Sequence, residues 1–377
     1  MSLLKSKKCL GVVLSVLLVA ALVVGCGPTP TEPTPTEPTP TEPTPTEKFD
    51  VIWGCAREGG ASYMQGAIMV GYTDANSDTI SITLSPWGGT LHAFRALDRG
   101  DVSLGALIIS DYFYANDQGL PPFDETPLEN REDMVLVLGP ATNLNFAFFA
   151  RADLADEIKS WSDIAGHNVW LHITGSGAYE AGKTFLKALG IYDTVNHRDM
   201  DPKLISDAVK AGDIDVIFTF GSNLAMQPAF LEIDMRTPLV VVPPTDEELE
   251  TCLAASPALT RGVFVFPTEQ LVHGVGAEQV EAPTFVGSYY TRRGMLPEEV
   301  AYELVRMIYD GVGAVMDAGL GDVEGALLPT FPEQLFIDQC KSLSELCAPL
   351  HPGTARYFKE VRGIDLQANG VRIATAE

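Results

Sequence analysis

The sequence has few basic side chains and lacks the common nucleotide and metal motifs. Its 377 residues include 25 Lys and Arg against 50 Asp and Glu, a formal net charge of -25 at pH 7. Because this charge repels phosphate backbones, general nucleic-acid binding is disfavoured. The chain has no P-loop, no G-x-G-x-x-G and no C-x-x-C, and its six histidines lack zinc-site spacing. No cofactor or metal is therefore expected.

Long apolar runs are absent beyond the N-terminus, so the mature body is expected to be soluble. At the N-terminus, three lysines precede an apolar run from Cys9 to Val24, as in a secretory signal peptide. The run ends in Val-Val-Gly-Cys26, which resembles the lipobox of bacterial lipoproteins. The resemblance implies removal of residues 1–25 and lipidation of Cys26; an uncleaved N-terminal anchor is the alternative.

Residues 28–47 repeat Pro-Thr-Pro-Thr-Glu four times. Alternating proline favours extended polyproline II, and twenty residues at about 3.1 Å each span roughly 60 Å. Residues 26–47 are therefore predicted to be a lipidated cysteine followed by an acidic tether. A proline-rich ligand for a peptide-binding domain is the alternative, and the tether is favoured because the repeats directly follow the lipidation site.

From Phe49 onward, the hydrophobic pattern alternates between strands and helices. Strands are predicted at residues 51–53, 80–84, 102–110, 169–173 and 214–220, and helices at residues 64–71, 90–99, 178–189 and 203–211. This alternation predicts an α/β fold with mainly parallel strands. The segments 96–102 and 208–214 share one order of helix, Gly, Asp and strand, which fits either internal duplication or the general similarity of such junctions.

Three glycine-containing turns each follow a predicted strand and open a helix. They are Gly59-Gly60, Gly88-Gly89-Thr90 and Gly175-Ser176-Gly177. A helix that begins there directs free backbone N–H groups and a partial positive charge towards the crevice beyond the strands. Each turn alone is typical of an ordinary tight turn, but three of them in two lobes favour a cleft that closes on an anion.

A catalytic site is not predicted. Ser176 lies in Thr-Gly-Ser-Gly, which lacks the first glycine of a nucleophile elbow. His172, four residues earlier, is better explained as facing packing or solvent than as a base for Ser176. The protein is therefore expected not to be an enzyme.

The glycine turns belong to a series of blocks that resembles the TAXI family, the solute-binding proteins of tripartite ATP-independent periplasmic (TRAP) transporters. In the family's order, these blocks are Gly59-Gly60-Ala61-Ser62-Tyr63-Met64-Gln65-Gly66, Trp87 to Phe94 with Gly100-Asp101, Ile164 to His167, Gly175-Ser176-Gly177, Gly212 to Asp215, and Leu350 to Glu360. In the last block, a structural role is preferred for His351.

The resemblance implies a two-lobed periplasmic-binding-protein fold of type II with an interlobe ligand cleft. Lobe 1 is predicted to comprise residues 48–145 and 286–377, and lobe 2 residues 146–285. The resemblance also implies an extracytoplasmic, lipid-anchored protein that captures a small carboxylate and delivers it to an ion-gradient-driven permease. The alternative is a ligand-sensing module that signals to a membrane receptor.

The chain departs from the family pattern at its ligand-contacting motifs. Ser62 replaces the first tyrosine, Trp87 a threonine, Thr90 a serine and Ala93 an asparagine. These changes predict a carboxylate that is larger or more apolar than glutamate. Tyr63 and Trp87 join the three glycine turns in the predicted ligand site.

Two further predictions concern single side chains. Cys340 and Cys347 would close a short loop and are the preferred disulfide among the four cysteines left after Cys26. Arg151, Arg292 and Arg293 flank the predicted interlobe crossings, where surface roles are preferred to a salt bridge with the ligand.

Overall fold

The computed structural model describes residues 47–58, 61–109, 111–222, 225–317 and 333–375. The predicted signal peptide, Cys26 and the repeat tether up to residue 46 lie outside these ranges. So do Gly59 and Gly60 of the first glycine turn.

Strands and helices alternate along the described chain. The strands are β1 Phe49–Cys55, β2 Ile80–Pro86, β3 Leu104–Ile109, β4 Met134–Arg151, β5 Asn168–Trp170, β6 Asn196–His197, β7 Val216–Ser222, β8 Ala225–Met226, β9 Leu239–Val242, β10 Thr260–Val265 and β11 Gln279–Arg292. The helices are α1 Ala61–Asn76, α2 Thr90–Arg99, α3 Asp111–Asp117, α4 Gly177–Ala188, α5 Pro202–Ala211, α6 Pro228–Asp234, α7 Asp246–Leu253, α8 Glu298–Asp317, α9 Glu333–Leu346 and α10 Pro352–Tyr357.

One 11-stranded sheet joins two halves of similar topology, in the order β2-β1-β3-β11-β4-β7-β5-β6. On one side, β1 pairs in parallel with β2 and β3; on the other, β5 pairs in parallel with β6 and β7. We call the β1–β3 side lobe 1 and the β5–β7 side lobe 2. Each lobe follows a strand–helix–strand–helix–strand order, so the predicted α/β class and two-lobed architecture are confirmed. The prediction of mainly parallel strands is wrong, because antiparallel pairs outnumber parallel ones among the described strands. This topology agrees with the type II fold that the family resemblance implies.

The long antiparallel strands β4 and β11 connect the lobes. Residues 287–290 of β11 pair with β3, whereas residues 279–284 pair with β10. Similarly, residues 145–151 of β4 pair with β7 and β9, whereas residues 134–145 pair with β11. Each lobe therefore receives a strand that begins in the other.

The strand pleat distributes aromatic side chains to both faces of the sheet in lobe 2. Phe146 and Phe148 of β4 pack with Phe218 and α4 on one face, whereas Phe149 packs with α5 and α6 on the other. This alternation follows from the two-residue period of a strand. In lobe 1, Trp53, Phe94, Tyr289 and their neighbours form a separate, larger cluster.

Within the described ranges, none of the helices combines the length and the apolar character needed to cross a membrane.

Candidate functional site

Two of the three predicted glycine turns meet across the lobes. A Cβ atom placed on Gly89 would lie only 2.6 Å from the carbonyl oxygen of Gly175 and 3.5 Å from the Cα of Ser176. This close backbone approach is possible because Gly89 has no side chain. We call the contact of residues 88–90 with residues 175–177 the glycine seam.

The lobe 1 side of the seam is positioned by the strand pairing of β1 and β2. Beyond β2, the Trp87 N–H donates to the Cys55 carbonyl at 2.9 Å. The chain then turns at Gly88 and Gly89, and α2 begins at Thr90 with Gly89 as an N-cap that provides no side-chain hydrogen bond. The first N–H groups of α2 therefore have no side-chain cap, which leaves them available to a ligand.

The lobe 2 side of the seam is a turn after β5. Gly175 has φ 83°, a left-handed conformation that glycine adopts without strain. Ser176 is the N-cap of α4, and its hydroxyl oxygen accepts from the Tyr179 N–H at 3.2 Å. Since Gly89 and Ser176 cap α2 and α4, both helix N-termini lie at the seam, where their dipoles favour an anion.

Two histidines border the seam. His92, on the first turn of α2, would lie 3.5 Å from a Cβ at Gly88 and 3.2 Å from one at Gly175, so its imidazole packs against both turns. His172 has φ 77°, the one left-handed non-glycine residue in the described chain. Its ring stacks on Trp170 with the centroids 4.5 Å apart. The packing of His92 against both turns was not predicted, whereas the stacking of His172 agrees with the preference for packing over a role as a base.

Arg57 adds a positive charge that the sequence analysis did not identify. It follows β1 by two residues and is half-buried. Loss of hydration on burial, followed by the nearby Arg57 guanidinium, lowers the pKa of His172 to about 4. Arg57 of lobe 1 therefore acts electrostatically on a residue that directly precedes the lobe 2 turn.

The other predicted site residues occupy different environments. Tyr63 is half-buried on α1 and packs against the lobe 1 core. Trp87 also packs on this core, and the Arg99 guanidinium lies 5.7 Å from its ring centroid. Gly177 is buried in the first turn of α4. Ser62 accepts from the Ala56 N–H at 2.9 Å and so closes the turn after β1.

The predicted disulfide between Cys340 and Cys347 is wrong. No disulfide joins the two residues, and both side chains are buried. Cys340 lies within α9, and Cys347 directly follows the last residue of this helix. Because an α-helix rises by about 1.5 Å per residue, their Cα atoms are roughly 10 Å apart. This is more than a disulfide spans. The Cys340 thiol instead donates to the Gly139 carbonyl at 2.8 Å.

The three arginines near the interlobe crossings have protein partners. Arg151 pairs with Asp153 at 3.1 Å, and Arg292 donates to the Asp98 carbonyl at 2.8 Å. Arg293 donates to Thr375 at 3.0 Å. His351 has the expected structural role, because it caps α10 and its Nε2 lies 3.0 Å from the Leu296 carbonyl oxygen.

A concave region away from the seam lies between β10, β11 and α9. It is a cavity of about 470 Å³ whose lining includes Thr260, Arg261, Thr284 and Gln339. None of the predicted ligand-binding residues lines it. It therefore provides a rival location against which a site at the seam can be tested.

Residues 54–361 match the NMT1-like family, and the chain belongs to that family. Solved structures to which the chain is similar include the periplasmic aliphatic sulphonate binding protein SsuA from Escherichia coli. That protein is 12% identical over 86% of this chain and 97% of its own, with a TM-score of 0.42. A second is a protein from Xanthomonas citri bound to ATP, which is 15% identical over 83% of this chain and 100% of its own, with a TM-score of 0.45. A third is a putative periplasmic sulfonate-binding protein from Methylobacillus flagellatus KT, which is 14% identical over 87% of this chain and 91% of its own, with a TM-score of 0.42.

Proposed function

We propose that this protein is the extracytoplasmic solute-binding component of a TRAP-type transporter and belongs to the TAXI group. In this role it captures a small carboxylate between its lobes and delivers it to an ion-gradient-driven permease. The observation that carries the proposal is the glycine seam, where backbone turns from both lobes and two helix N-termini meet. Membership of the NMT1-like family and the TAXI-like motifs support the same role.

The seam suits an anion because it provides backbone donors without requiring several basic side chains. A chain with a net charge of -25 repels anions at long range, so short-range donors must stabilise the ligand. The uncapped start of α2 and the left-handed Gly175 turn both allow close approach of a ligand to the backbone. Closure of the lobes would then bring donors from both sides onto one anionic group.

We propose residues 48–145 and 286–377 as lobe 1 and residues 146–285 as lobe 2. The change of pairing partner along β4 near residue 145 and along β11 near residue 286 supports these boundaries.

A thermal-shift screen tests the solute class. The probes are L-glutamate, 2-oxoglutarate, 2-oxoisocaproate and phenylpyruvate, with ethanesulfonate and choline as controls. A ligand at about 100 times its Kd stabilises the folded state by roughly 2.7 kcal/mol. We expect carboxylates to raise the melting temperature and the two apolar acids to do so more than glutamate. Stabilisation by the sulfonate or choline alone would overturn the carboxylate assignment.

Thr90→Ala and Ser176→Ala test the location of the site. Each removes a hydroxyl at the seam, and a reduced affinity for the carboxylate found in the screen is expected for at least one. Unchanged affinity in both variants, measured by calorimetry, would remove these two hydroxyls from the site.

Cys26→Ala tests the proposed lipid anchor. The variant is expected to lose its acyl chains and to leave the membrane fraction, as detected by metabolic labelling with a fatty acid and by fractionation. A variant that stays in the membrane without label would instead support an uncleaved N-terminal anchor.

A further inference from the structure

Arg57 differs from every other arginine in the described parts of the chain. Each of the others has a hydrogen bond or an ion pair: most with carboxylates, the rest with an amide or backbone carbonyl oxygens. Arg57 has neither within those residues. An unpaired guanidinium is unexpected in a protein with twice as many acidic as basic side chains. Its five N–H donors remain available.

The turn around Arg57 is fixed by its neighbours. Cys55 accepts from Trp87 on one side, and Ala56 donates to Ser62 on the other. Because Trp87 leads directly into Gly88 and Gly89, these bonds hold Arg57 close to the lobe 1 side of the glycine seam. It is half-buried, so its charge is only partly hydrated.

Across the lobes, the charge of Arg57 acts on His172, which lies three residues before Gly175 of the seam. Its backbone is left-handed, and its ring is held flat against Trp170 at 4.5 Å and tilted at 6.1 Å from Phe220. The lowered pKa keeps this imidazole neutral at pH 7, so it can donate a hydrogen bond without adding charge. A left-handed histidine is uncommon, and such strain is concentrated at ligand sites.

We propose that Arg57 binds the anionic group of the solute directly and that His172 donates a hydrogen bond to the same group. The proposal rests on the proposed function, and it assigns to one side chain the charge recognition that the glycine turns provide only through backbone dipoles. A guanidinium donates two parallel hydrogen bonds to a carboxylate, whereas an ammonium group acts as a point charge. In this proposal, the carboxylate of the proposed function is held in a bidentate manner by Arg57.

Calorimetry with 2-oxoisocaproate, phenylpyruvate and 2-oxoglutarate tests the assignment. We expect Arg57→Gln to lose at least 30-fold in affinity for the acid that binds the wild type best. Arg57→Lys, which keeps the charge but not the fork, is expected to lose about tenfold. Arg261→Gln is the matched control, since it removes the same charge at the rival cavity and should leave affinity unchanged.

Phenylglyoxal labelling of the wild type provides a readout that does not depend on a substitution. Arg57 should react faster than the paired Arg261, and a bound carboxylate should protect it, as measured by peptide mass spectrometry. Equal affinity of the wild type and Arg57→Gln, or labelling of Arg57 unaffected by a carboxylate that stabilises the protein, would overturn the inference and leave the proposed function intact. If no carboxylate stabilises the wild type, the proposed function fails and this inference fails with it.

Discussion

The second strand–helix corner of each lobe allows a direct comparison, because α2 and α5 occupy equivalent places in the topology. Both helices end in the same way, with left-handed Gly100 at φ 84° and Gly212 at φ 83°. In each, the following aspartate donates its N–H to an alanine carbonyl at 2.9 Å, from Asp101 to Ala96 and from Asp213 to Ala208. Residues 96–102 and 208–214 are therefore similar in structure as well as in sequence.

The two helices begin differently. In α5, the Asp201 side chain accepts from the Lys203 N–H at 2.9 Å, and Pro202 occupies the first turn without an N–H. In α2, Gly89 provides no such cap and touches the other lobe instead. The shared C-terminal ends of α2 and α5 therefore stabilise the fold, whereas the uncapped N-terminus of α2 belongs to the proposed site.

The largest expected effect concerns His172, which gives the lobe 2 side of the seam a titratable ring. Its folded-state pKa of about 4 lies below the ordinary 6.5, so between these values the unfolded chain binds a proton that the folded chain does not. The free energy of unfolding should therefore fall as the pH drops from about 6.5 to about 4, by up to roughly 3 kcal/mol.

His172→Asn removes this titration and suits the left-handed backbone. Urea unfolding at several pH values should show a shallower decline than in the wild type, whereas the exposed control His273→Asn should keep the wild-type slope. Parallel curves for the wild type and His172→Asn would contradict the expectation.

Gly89→Ala should disrupt the contact with lobe 2 that distinguishes the start of α2 from the start of α5. The new methyl group would overlap the Gly175 carbonyl oxygen, so the lobes could not close fully. Overpacking of this kind costs about 1–3 kcal/mol, which corresponds to a loss of about 5- to 150-fold in carboxylate affinity. Gly88→Ala is the matched control, because its Cβ would contact His92 at an ordinary 3.5 Å. Equal affinities of the two variants would show that the seam does not control closure.

Gly100→Ala and Gly212→Ala test the shared helix ends. An alanine in the left-handed conformation costs roughly 1–2 kcal/mol of stability. The loss should be larger at position 212, where the Cβ would lie 2.6 Å from Arg151 Nη1, than at position 100, where Arg292 Nη1 is 3.1 Å away. Gly71→Ala, in open space on α1, should instead stabilise by up to about 1 kcal/mol. Chemical denaturation measures all three.

Asp201→Ala should have the smallest effect. Loss of the N-cap is expected to lower the free energy of unfolding by about 1 kcal/mol, with no change in carboxylate affinity. A marked loss of affinity on calorimetry would mean that the start of α5 also contributes to binding.

Most elements follow from local patterns. The spacing of Leu91, Phe94 and Leu97 predicts a helix over residues 90–99, which are the bounds of α2. The strand predicted at residues 169–173 ends earlier, at Trp170, because the left-handed His172 turns the chain away from the sheet. The disulfide prediction failed because loop length was considered without the helix that separates the two cysteines.

The candidate site was predicted only in part. Glycine turns after strands indicated residues 88–90 and 175–177, since turn chemistry is local. Arg57 carried no comparable signal, because an arginine beside a glutamate in a polar loop is typical of solvated surface. Its significance lies in the lack of a hydrogen-bond or ion-pair partner among the described residues, which depends on all the side chains around it.

By itself, the sequence determined the alternation of strands and helices, the two lobes, the acidic body and the glycine turns, because periodicity and backbone freedom act over a few residues. Only the tertiary structure decided which turns meet, that α2 begins uncapped against the opposite lobe, and that Arg57 and His172 lie near the same seam. Those relations depend on the crossing strands β4 and β11, which bring together residues that are far apart in the chain.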